Sequence, residues 1–330
     1  MSRIAVVGAG AWGTALAISL ARRGGHSIAL WSYSAELAEE MTETGVNLPF
    51  LPGYTVPADV KVTSDLEAAI LGSEIVLCVT PSEHMRRVVG QIAPMLTRDQ
   101  IVVSATKGLE EKSLLRMSQV IASLTDNECG VLSGPSFAAE VAAGIPTAIV
   151  AAASAPGVAL IIQKEFSSSS LRLYTNDDVA GVELGGSLKN VIAMAAGVVN
   201  GLDLGYNAGA ALITRGIAEI TRLAVACGGR RQTLAGLSGL GDLVLTCTGS
   251  LSRNRTVGIE LGKGRDLAEV LSDLNGKVAE GVRCTAAALG LAARYEVEMP
   301  ITEQMDAILH RGKSPKEAIR ELMARPGREE

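Results

Sequence analysis

The chain has 330 residues, of which 48% are hydrophobic, 20% charged and 3% aromatic, and its formal net charge is −5. The length favours two domains. Nucleic acid is not an expected partner, because the sequence has no basic block. No uninterrupted apolar run reaches the roughly 18 residues that a membrane span needs. The five cysteines form neither a Cys-x-x-Cys pair nor a Cys/His cluster. They predict buried free thiols, no metal site and a cytoplasmic location.

Strands and helices alternate in the first half of the chain. Apolar strand runs are predicted at 3–7, 27–31, 60–62, 74–79, 101–104, 129–132, 146–152 and 171–174. Helical patterns lie between them, for example at 12–23, 34–43, 83–90 and 113–124. Short apolar strands separated by helices are typical of a parallel sheet covered on both faces. We therefore expect an α/β fold with a Rossmann-like, mainly parallel sheet domain over residues 1–178.

The pattern changes near Asp178, where strand runs end and Ala-rich helical stretches begin. These stretches are predicted at 179–199, 208–228, 280–294 and 301–310. The sequence therefore predicts a mainly α-helical, substrate-binding C-terminal domain over residues 179–330.

The segment Gly8–Gly13 reads GAGAWG and directly follows the first predicted strand. In a G-x-G-x-x-G fingerprint, Gly8 permits a tight turn, Gly10 lets the backbone approach a pyrophosphate, and Gly13 lets the helix pack closely on the strand. The N–H groups and the dipole at the helix N-terminus favour an anion. This segment predicts a dinucleotide cofactor.

The end of the second predicted strand should distinguish NAD from NADP. An acidic residue there would bind the ribose 2′-hydroxyl of NAD, but the chain has Ser32, Tyr33 and Ser34, and Glu36 already lies in the next predicted helix. No arginine in this loop indicates a 2′-phosphate either. The sequence leaves NAD or NADP open and favours NADP or use of both.

Lys189 is the main candidate for acid/base chemistry. It lies in the middle of a predicted helix, on the same face as Gly185, Gly186 and several apolar residues. A lysine can snorkel to the surface, but glycines in a helix cost about 1 kcal/mol each relative to alanine and leave space for a close approach. We therefore predict that Lys189 acts as a general acid/base.

Further candidates follow predicted strands or begin predicted helices. Thr106–Gly108 and Ser133–Ala138 lie at the carboxyl edge of the sheet, where ligands bind, although a solvated lysine and a capped turn are alternatives. Asp242 is consistent with an N-cap and with a partner for Lys189. Ser252 is a predicted N-cap, and Arg253 next to it would suit a phosphate.

Seven segments in the right order resemble one family, NAD(P)-dependent glycerol-3-phosphate dehydrogenase of the bacterial type. They are GAGAWGTALA, the Lys107-Gly108 loop, SGPSFAAE, VELGGSLKNVIAMAAG, GLGDLVLTC, SRNR and VAEGVR. The resemblance implies NAD(P)H-dependent reduction of dihydroxyacetone phosphate to sn-glycerol 3-phosphate, a precursor for phospholipid synthesis. It also implies a cytoplasmic homodimer.

The resemblance assigns roles to individual residues. Lys189 and Asp242 take the catalytic positions. The implied substrate contacts are Lys107, Gly134, Ser136, Lys189, Asp242, Ser252, Arg253 and Asn254. The implied cofactor contacts, beyond Gly8, Gly10 and Gly13, are Ala11, Trp12, Tyr33, Lys107, Ala138, Arg253, Val278 and Glu280.

Two alternative functions remain at this point. β-Hydroxyacid and 6-phosphogluconate-type dehydrogenases also join a Rossmann domain to a helical one, but they carry K-x-x-x-N where this chain has Lys189 followed directly by Asn190. A catalytically silent dinucleotide sensor would retain the glycine fingerprint alone.

Overall fold

The computed structural model describes residues 2–274 and 279–327. The chain divides into two compact units. The first contains the residues up to Lys107 together with Leu115–Glu183, and the second contains Gly108–Leu114 together with the residues from Leu184 onward. The predicted domain boundary between residues 178 and 179 stays a prediction.

The first unit alternates strands and helices, as the sequence predicts. Its strands are β1 (Ser2–Val7), β2 (His26–Trp31), β3 (Val60–Thr63), β4 (Ile75–Cys78), β5 (Ile101–Ser104), β6 (Cys129–Ser133), β7 (Thr147–Ala153) and β8 (Leu171–Asn176). Its helices are α1 (Ala11–Arg23), α2 (Ala35–Thr44), α3 (Leu66–Ile70), α4 (Ser82–Ile92), α5 (Met117–Ala122), α6 (Ala138–Ala143) and α7 (Val158–Phe166).

The eight strands form one sheet in the order β3-β2-β1-β4-β5-β6-β7-β8. All neighbouring strands are parallel except β6 and β7, so β7 and β8 run opposite to the other six. This confirms the predicted Rossmann-like, mainly parallel class. The strand order changes direction between β1 and β4, and a ligand crevice forms outside the carboxyl ends of strands at such a point.

Both faces of the sheet are covered. On β1, Ile4 and Val6 pack into one apolar core, whereas Ala5 and Val7 pack into another. Because successive side chains of a strand point to opposite faces, strands that are apolar at every position need helices on both sides. This explains why the strands appear in the sequence as continuous apolar runs.

Helix α5 is shorter than predicted, because it begins at Met117 and not near residue 113. Leu114 has a positive φ of 63°, which a right-handed helix does not allow. The sequence pattern contains no sign of this kink, since leucine is a good helix former.

The second unit is mainly helical, which fits the predicted class. Helix α8 (Val179–Gly201) leads into it. The other helices are α9 (Gly205–Ala226), α10 (Arg231–Leu234), α11 (Asp242–Thr248), α12 (Arg253–Gly262), α13 (Leu267–Ser272), α14 (Glu280–Arg294), α15 (Pro300–Arg311) and α16 (Pro315–Met323). A short π-helical segment, Leu237–Gly241, precedes α11.

Helix α8 is long and apolar enough to cross a membrane by length and mean hydropathy, which the search for uninterrupted apolar runs did not anticipate. Its most apolar stretch is entirely buried inside the protein, and the helix contains Glu183 and Lys189. Burial on all sides is what a central core helix requires. We therefore interpret α8 as the core helix of the second unit.

The five cysteines are free thiols, as predicted. Cys78, Cys247 and Cys284 are buried, whereas Cys129 and Cys227 are partly buried. Burial raises the pKa of Cys78 and of Cys284 to about 12, so these thiols stay protonated at neutral pH.

Candidate active site

The glycines of the first loop have different surroundings. Gly8 has a φ of +128°, and a Cβ there would lie 2.6 Å from the Val79 carbonyl oxygen. A Cβ on Gly13 would lie 1.8 Å from the Gly8 carbonyl oxygen, whereas a Cβ on Gly10 would meet no atom within 4 Å. Gly8 and Gly13 are therefore needed for close packing of the turn and helix, and Gly10 leaves an open face.

That open face lies at the start of α1. Gly10 is the N-cap residue and provides no side-chain hydrogen bond, so Ala11 and Trp12 open a helix whose first N–H groups are available to an anion. The helix dipole adds to this preference. The geometry fits the pyrophosphate of a dinucleotide.

The loops after β5 and β6 meet at one carbonyl group. The Lys107 Nζ donates a hydrogen bond to the Gly134 oxygen at 3.0 Å, and the Ser136 Oγ donates to the same oxygen at 2.9 Å. Ala138 is the first residue of α6, and the N-cap residue Phe137 forms no side-chain cap. The structure thus brings three predicted substrate residues together and does not support the alternative of a side-chain-capped turn.

Lys189 is buried in the second unit, with 6% of its surface exposed. Its Nζ donates to an Asp242 carboxylate oxygen, with which it forms an ion pair, and to the Thr246 Oγ1 at 2.7 Å. The Thr246 hydroxyl in turn donates to the Asp242 carbonyl oxygen at 2.6 Å. The alternative of a lysine snorkelling to the surface is therefore wrong.

The local backbone explains why this pair forms. A Cβ on Gly185 would lie 2.6 Å from the Ser238 carbonyl oxygen, so the glycine lets the segment before α11 approach α8 closely. Asp242 is the first residue of α11, and the N-cap position belongs to Gly241. The N-cap interpretation of Asp242 is wrong, and its side chain is directed to Lys189.

A thiol also lies near this cluster. Burial raises the pKa of Cys247 to about 12, although the positive charge of Lys189 acts in the opposite direction. A thiol with this pKa is protonated at neutral pH and is a poor nucleophile. Cys247 is therefore not a candidate nucleophile, and Lys189 is the group here that could transfer a proton.

A chain of amides connects two other predicted residues. The Asn254 side chain donates to the Asn190 Oδ1 at 3.1 Å and accepts from the Gly281 N–H at 3.0 Å. The Asn190 amide donates to the Glu280 Oε2 at 3.2 Å. The predicted substrate residue Asn254 and the predicted cofactor residue Glu280 therefore share one network with the neighbour of Lys189. Val278 lies outside the described residues.

Ser252 is the N-cap of α12, as predicted, and its Oγ accepts from the Arg255 N–H at 3.2 Å. Arg253 follows as the first helical residue, and its side chain is exposed. A helix N-terminus beside an exposed guanidinium can hold a phosphate.

Tyr33 lies after β2 and is 74% exposed. Its ring contacts Trp31 edge-on, and the Arg87 guanidinium carbon lies 5.0 Å from the ring centroid. The structure thus brings the predicted cofactor residue Tyr33 into contact with these two residues.

Sequence reasoning missed three polar neighbours of these sites. Thr246 lies four residues after Asp242, so helical spacing places both on one face of α11. This spacing could have identified Thr246 from the sequence. Asn190 is adjacent to Lys189 in the chain, but nothing local shows that its amide links two helices. Nothing in the sequence indicates Arg87, because its contact with Tyr33 depends on the order of the strands in the sheet.

Among residues 2–274 and 279–327, no group of three or more His, Cys, Asp or Glu side chains could hold a metal ion. The candidate site contains the ion pair of Lys189 with Asp242, the amide network of Asn190 and Asn254, and the N–H groups that follow the glycine loop.

Comparison with known proteins gives consistent matches along the chain. Models of the N-terminus and the C-terminus of NAD-dependent glycerol-3-phosphate dehydrogenase match residues 3–159 and 178–320. The chain is 61% identical to the NAD(P)+ glycerol-3-phosphate dehydrogenase of Acidobacterium capsulatum, with 100% of both chains covered. It is 59% identical to that of Koribacter versatilis, with 99% of this chain and 98% of the relative covered.

A solved structure agrees with these matches. The crystal structure of glycerol-3-phosphate dehydrogenase from Coxiella burnetii superimposes with a TM-score of 0.94 at 42% identity, over 98% of this chain and 99% of that one.

Proposed function

Since the chain belongs to the NAD-dependent glycerol-3-phosphate dehydrogenase family, it is an oxidoreductase that uses NAD or NADP, and we propose that Lys189 is its general acid/base. The observation that carries this proposal is the buried ion pair of Lys189 with Asp242, completed by Thr246. Because models of this family match both parts of the chain, we set aside the alternatives of a hydroxyacid dehydrogenase and a silent dinucleotide sensor.

The residues of the second unit explain how a carbonyl group would be reduced. When bound, the reduced nicotinamide supplies a hydride to the C2 carbon of dihydroxyacetone phosphate. The Lys189 ammonium stabilises the negative charge that develops on the carbonyl oxygen and then donates its proton to it. Asp242 and Thr246 fix the direction of the ammonium group, and Asp242 compensates its charge in a buried environment.

The phosphate of the substrate has a separate binding site in this proposal. Arg253 and the N-terminus of α12 provide positive charge and N–H donors, and Asn254 is held next to them by Asn190 and Gly281. Binding energy from the phosphate, which does not react, then positions the carbonyl group. Lys107, Gly134 and Ser136 of the first unit are further proposed substrate contacts.

The first proposed cofactor contacts follow from the open face at Gly10, and the others are those that the family resemblance implies. Ala11 and Trp12 at the start of α1 would contact the pyrophosphate. The other proposed contacts are Tyr33, Lys107, Ala138, Arg253, Val278 and Glu280. We further propose that the enzyme is a cytoplasmic homodimer that supplies glycerol 3-phosphate for phospholipid synthesis.

The catalytic role of Lys189 is tested by replacing it with methionine, which keeps the length of the aliphatic side chain and removes the charge. We expect kcat for dihydroxyacetone phosphate reduction to fall by about 10²- to 10⁴-fold, the usual contribution of a general acid. NADH and NADPH binding, measured by fluorescence, should remain close to wild type.

Lys189→Met leaves the Asp242 carboxylate buried without its cation, which is destabilising, so the double variant Lys189→Met/Asp242→Asn is measured as well. The matched control is Lys263→Met, since Lys263 is an exposed lysine after α12. Turnover by either Lys189 variant at the wild-type rate would show that another group donates the proton.

A further inference from the structure

Next to the loop after β2, two exposed side chains are in contact, and one of them, Arg87, has no role in the proposed site. The Arg87 guanidinium of α4 lies over the exposed ring of Tyr33, with its central carbon 5.0 Å from the ring centroid. Arg87 is itself exposed. Helix α4 follows β4, and β4 and β2 are the two neighbours of β1 in the sheet, so both side chains lie at the carboxyl edge beside the glycine loop.

The end of β2 is where a Rossmann domain distinguishes the two nicotinamide cofactors. A carboxylate there binds the ribose 2′-hydroxyl of NAD, and an arginine nearby accommodates the 2′-phosphate of NADP. In this chain Ser32 is buried, and Ser34 is the N-cap of α2. The loop itself therefore offers neither a carboxylate nor an arginine.

The charged groups around the loop can be taken in turn. Glu36, in the first turn of α2, accepts a 2.7 Å hydrogen bond from the Ser34 hydroxyl, which holds the pKa of this carboxyl below its ordinary value. On α4, the His84 Nε2 lies 3.4 Å from a Glu83 carboxylate oxygen, and partial burial together with the charge of Arg87 lowers the pKa of this imidazole. Arg86 donates to the Ser123 hydroxyl at 3.1 Å.

Arg87 is a cation that faces the loop, since it lies over the Tyr33 ring. Among the described residues, no carboxylate forms an ion pair with it. A guanidinium that packs its face on an aromatic ring keeps its N–H groups in the plane for other acceptors. This arrangement leaves the edge of Arg87 available to a phosphate, which accepts two parallel hydrogen bonds from arginine.

We propose that Arg87 binds the 2′-phosphate of NADP, while Tyr33 holds the guanidinium in place and contacts the adenine. This inference rests on the proposed function, since it concerns the cofactor of the same enzyme. Arg87 thereby supplies from α4 the positive charge that the β2 loop lacks, and it makes NADPH a substrate alongside NADH.

The test measures binding of two cofactor fragments by calorimetry, without turnover. The fragments are adenosine 2′,5′-bisphosphate, which carries the 2′-phosphate, and 5′-AMP, which does not. In Arg87→Gln we expect the affinity for the bisphosphate to fall about 10- to 100-fold, the range for a charge-assisted hydrogen-bonding partner. The affinity for 5′-AMP should change little.

Arg86→Gln is the matched control, because it removes a neighbouring arginine of α4 whose side chain is directed to Ser123. It should leave both affinities unchanged. In turnover, Arg87→Gln should lower kcat/KM for NADPH and keep that for NADH.

An equal loss of affinity for both fragments, or no loss for either, would overturn the role of Arg87. A wild-type enzyme that oxidises neither cofactor with dihydroxyacetone phosphate would instead refute the proposed function, and the fragment assay would still decide on Arg87.

Discussion

Arg253 and Lys189 lie in opposite environments, and this predicts different kinetic consequences of their loss. Lys189 is buried beside Asp242, whereas Arg253 is exposed at the start of α12. Arg253→Ala should raise KM for dihydroxyacetone phosphate by about 10- to 100-fold because it removes a charged partner of the phosphate. Steady-state kinetics at saturating cofactor measures this effect.

The matched control for Arg253 is Arg265→Ala. Arg265 is an exposed arginine beyond the other end of α12, where it pairs with Glu260 and Asp273, and exposed pairs of this kind contribute little to stability. An unchanged KM in Arg253→Ala would remove this residue from the phosphate site.

At the residue scale, the sequence allowed Lys189 to be identified as a candidate because a lysine among glycines and apolar residues has no ordinary structural reason. It did not allow a choice between the two interpretations of Asp242, since a helix start and a lysine partner require the same carboxylate. The choice depends on the contact of Gly185 with Ser238, 53 residues along the chain, and local patterns contain no information about such a contact.

At the element scale, the first loop and α1 contain two glycines, and replacing one should lower stability whereas replacing the other should lower cofactor affinity. Gly13→Ala would place a Cβ 1.8 Å from the Gly8 carbonyl oxygen, so α1 must shift. We expect the free energy of unfolding to fall by about 1 to 3 kcal/mol, as for other overpacked sites. Chemical denaturation of the protein without cofactor measures this change.

Gly10→Ala is the counterpart, since its Cβ would meet no atom within 4 Å and its φ of −73° suits any residue. Its stability should stay within about 1 kcal/mol of wild type, while its affinity for NADH and NADPH falls because the Cβ occupies the face proposed for the pyrophosphate. A Gly10→Ala protein that binds cofactor normally would contradict this assignment.

The bounds of the eight strands could be predicted to within two residues, because apolar strands buried on both faces and glycine-marked turns are local signals. The reversal between β6 and β7 could not, since a strand has the same apolar pattern in either direction. The start of α5 was also not predictable, because Leu114, three residues before it, has a positive φ and packs against the core of the helical unit.

At the scale of the whole molecule, a single cut of the chain would not separate the two units. The segment Gly108–Leu114 lies within the sequence of the first unit but belongs to the second. Leu109 is buried in the core of the helical unit, and Leu114 packs against it. The Ser187 hydroxyl accepts from the Gly108 N–H at 2.8 Å and donates to its carbonyl at 3.2 Å.

These contacts predict that a fragment cut at the expected boundary, 179–330, is incomplete. It loses the burial of Leu109, and leucine truncations in a core cost about 2–5 kcal/mol. It also loses the two hydrogen bonds between the Ser187 hydroxyl and Gly108. We expect this fragment to melt at a lower temperature and less cooperatively than the same fragment with residues 108–114 joined to its N-terminus by a Gly/Ser linker. Circular dichroism measures both melting curves.

The control is the linked fragment with Leu109→Ala and Leu114→Ala, which keeps the added length and removes the apolar contacts. It should melt like the fragment without the segment, because burial of these side chains, and not the linker, provides the stabilisation. Equal melting temperatures for all three fragments would show that Gly108–Leu114 is not part of the second unit's core. The helical domain would then comprise residues 179–330, as the sequence predicts.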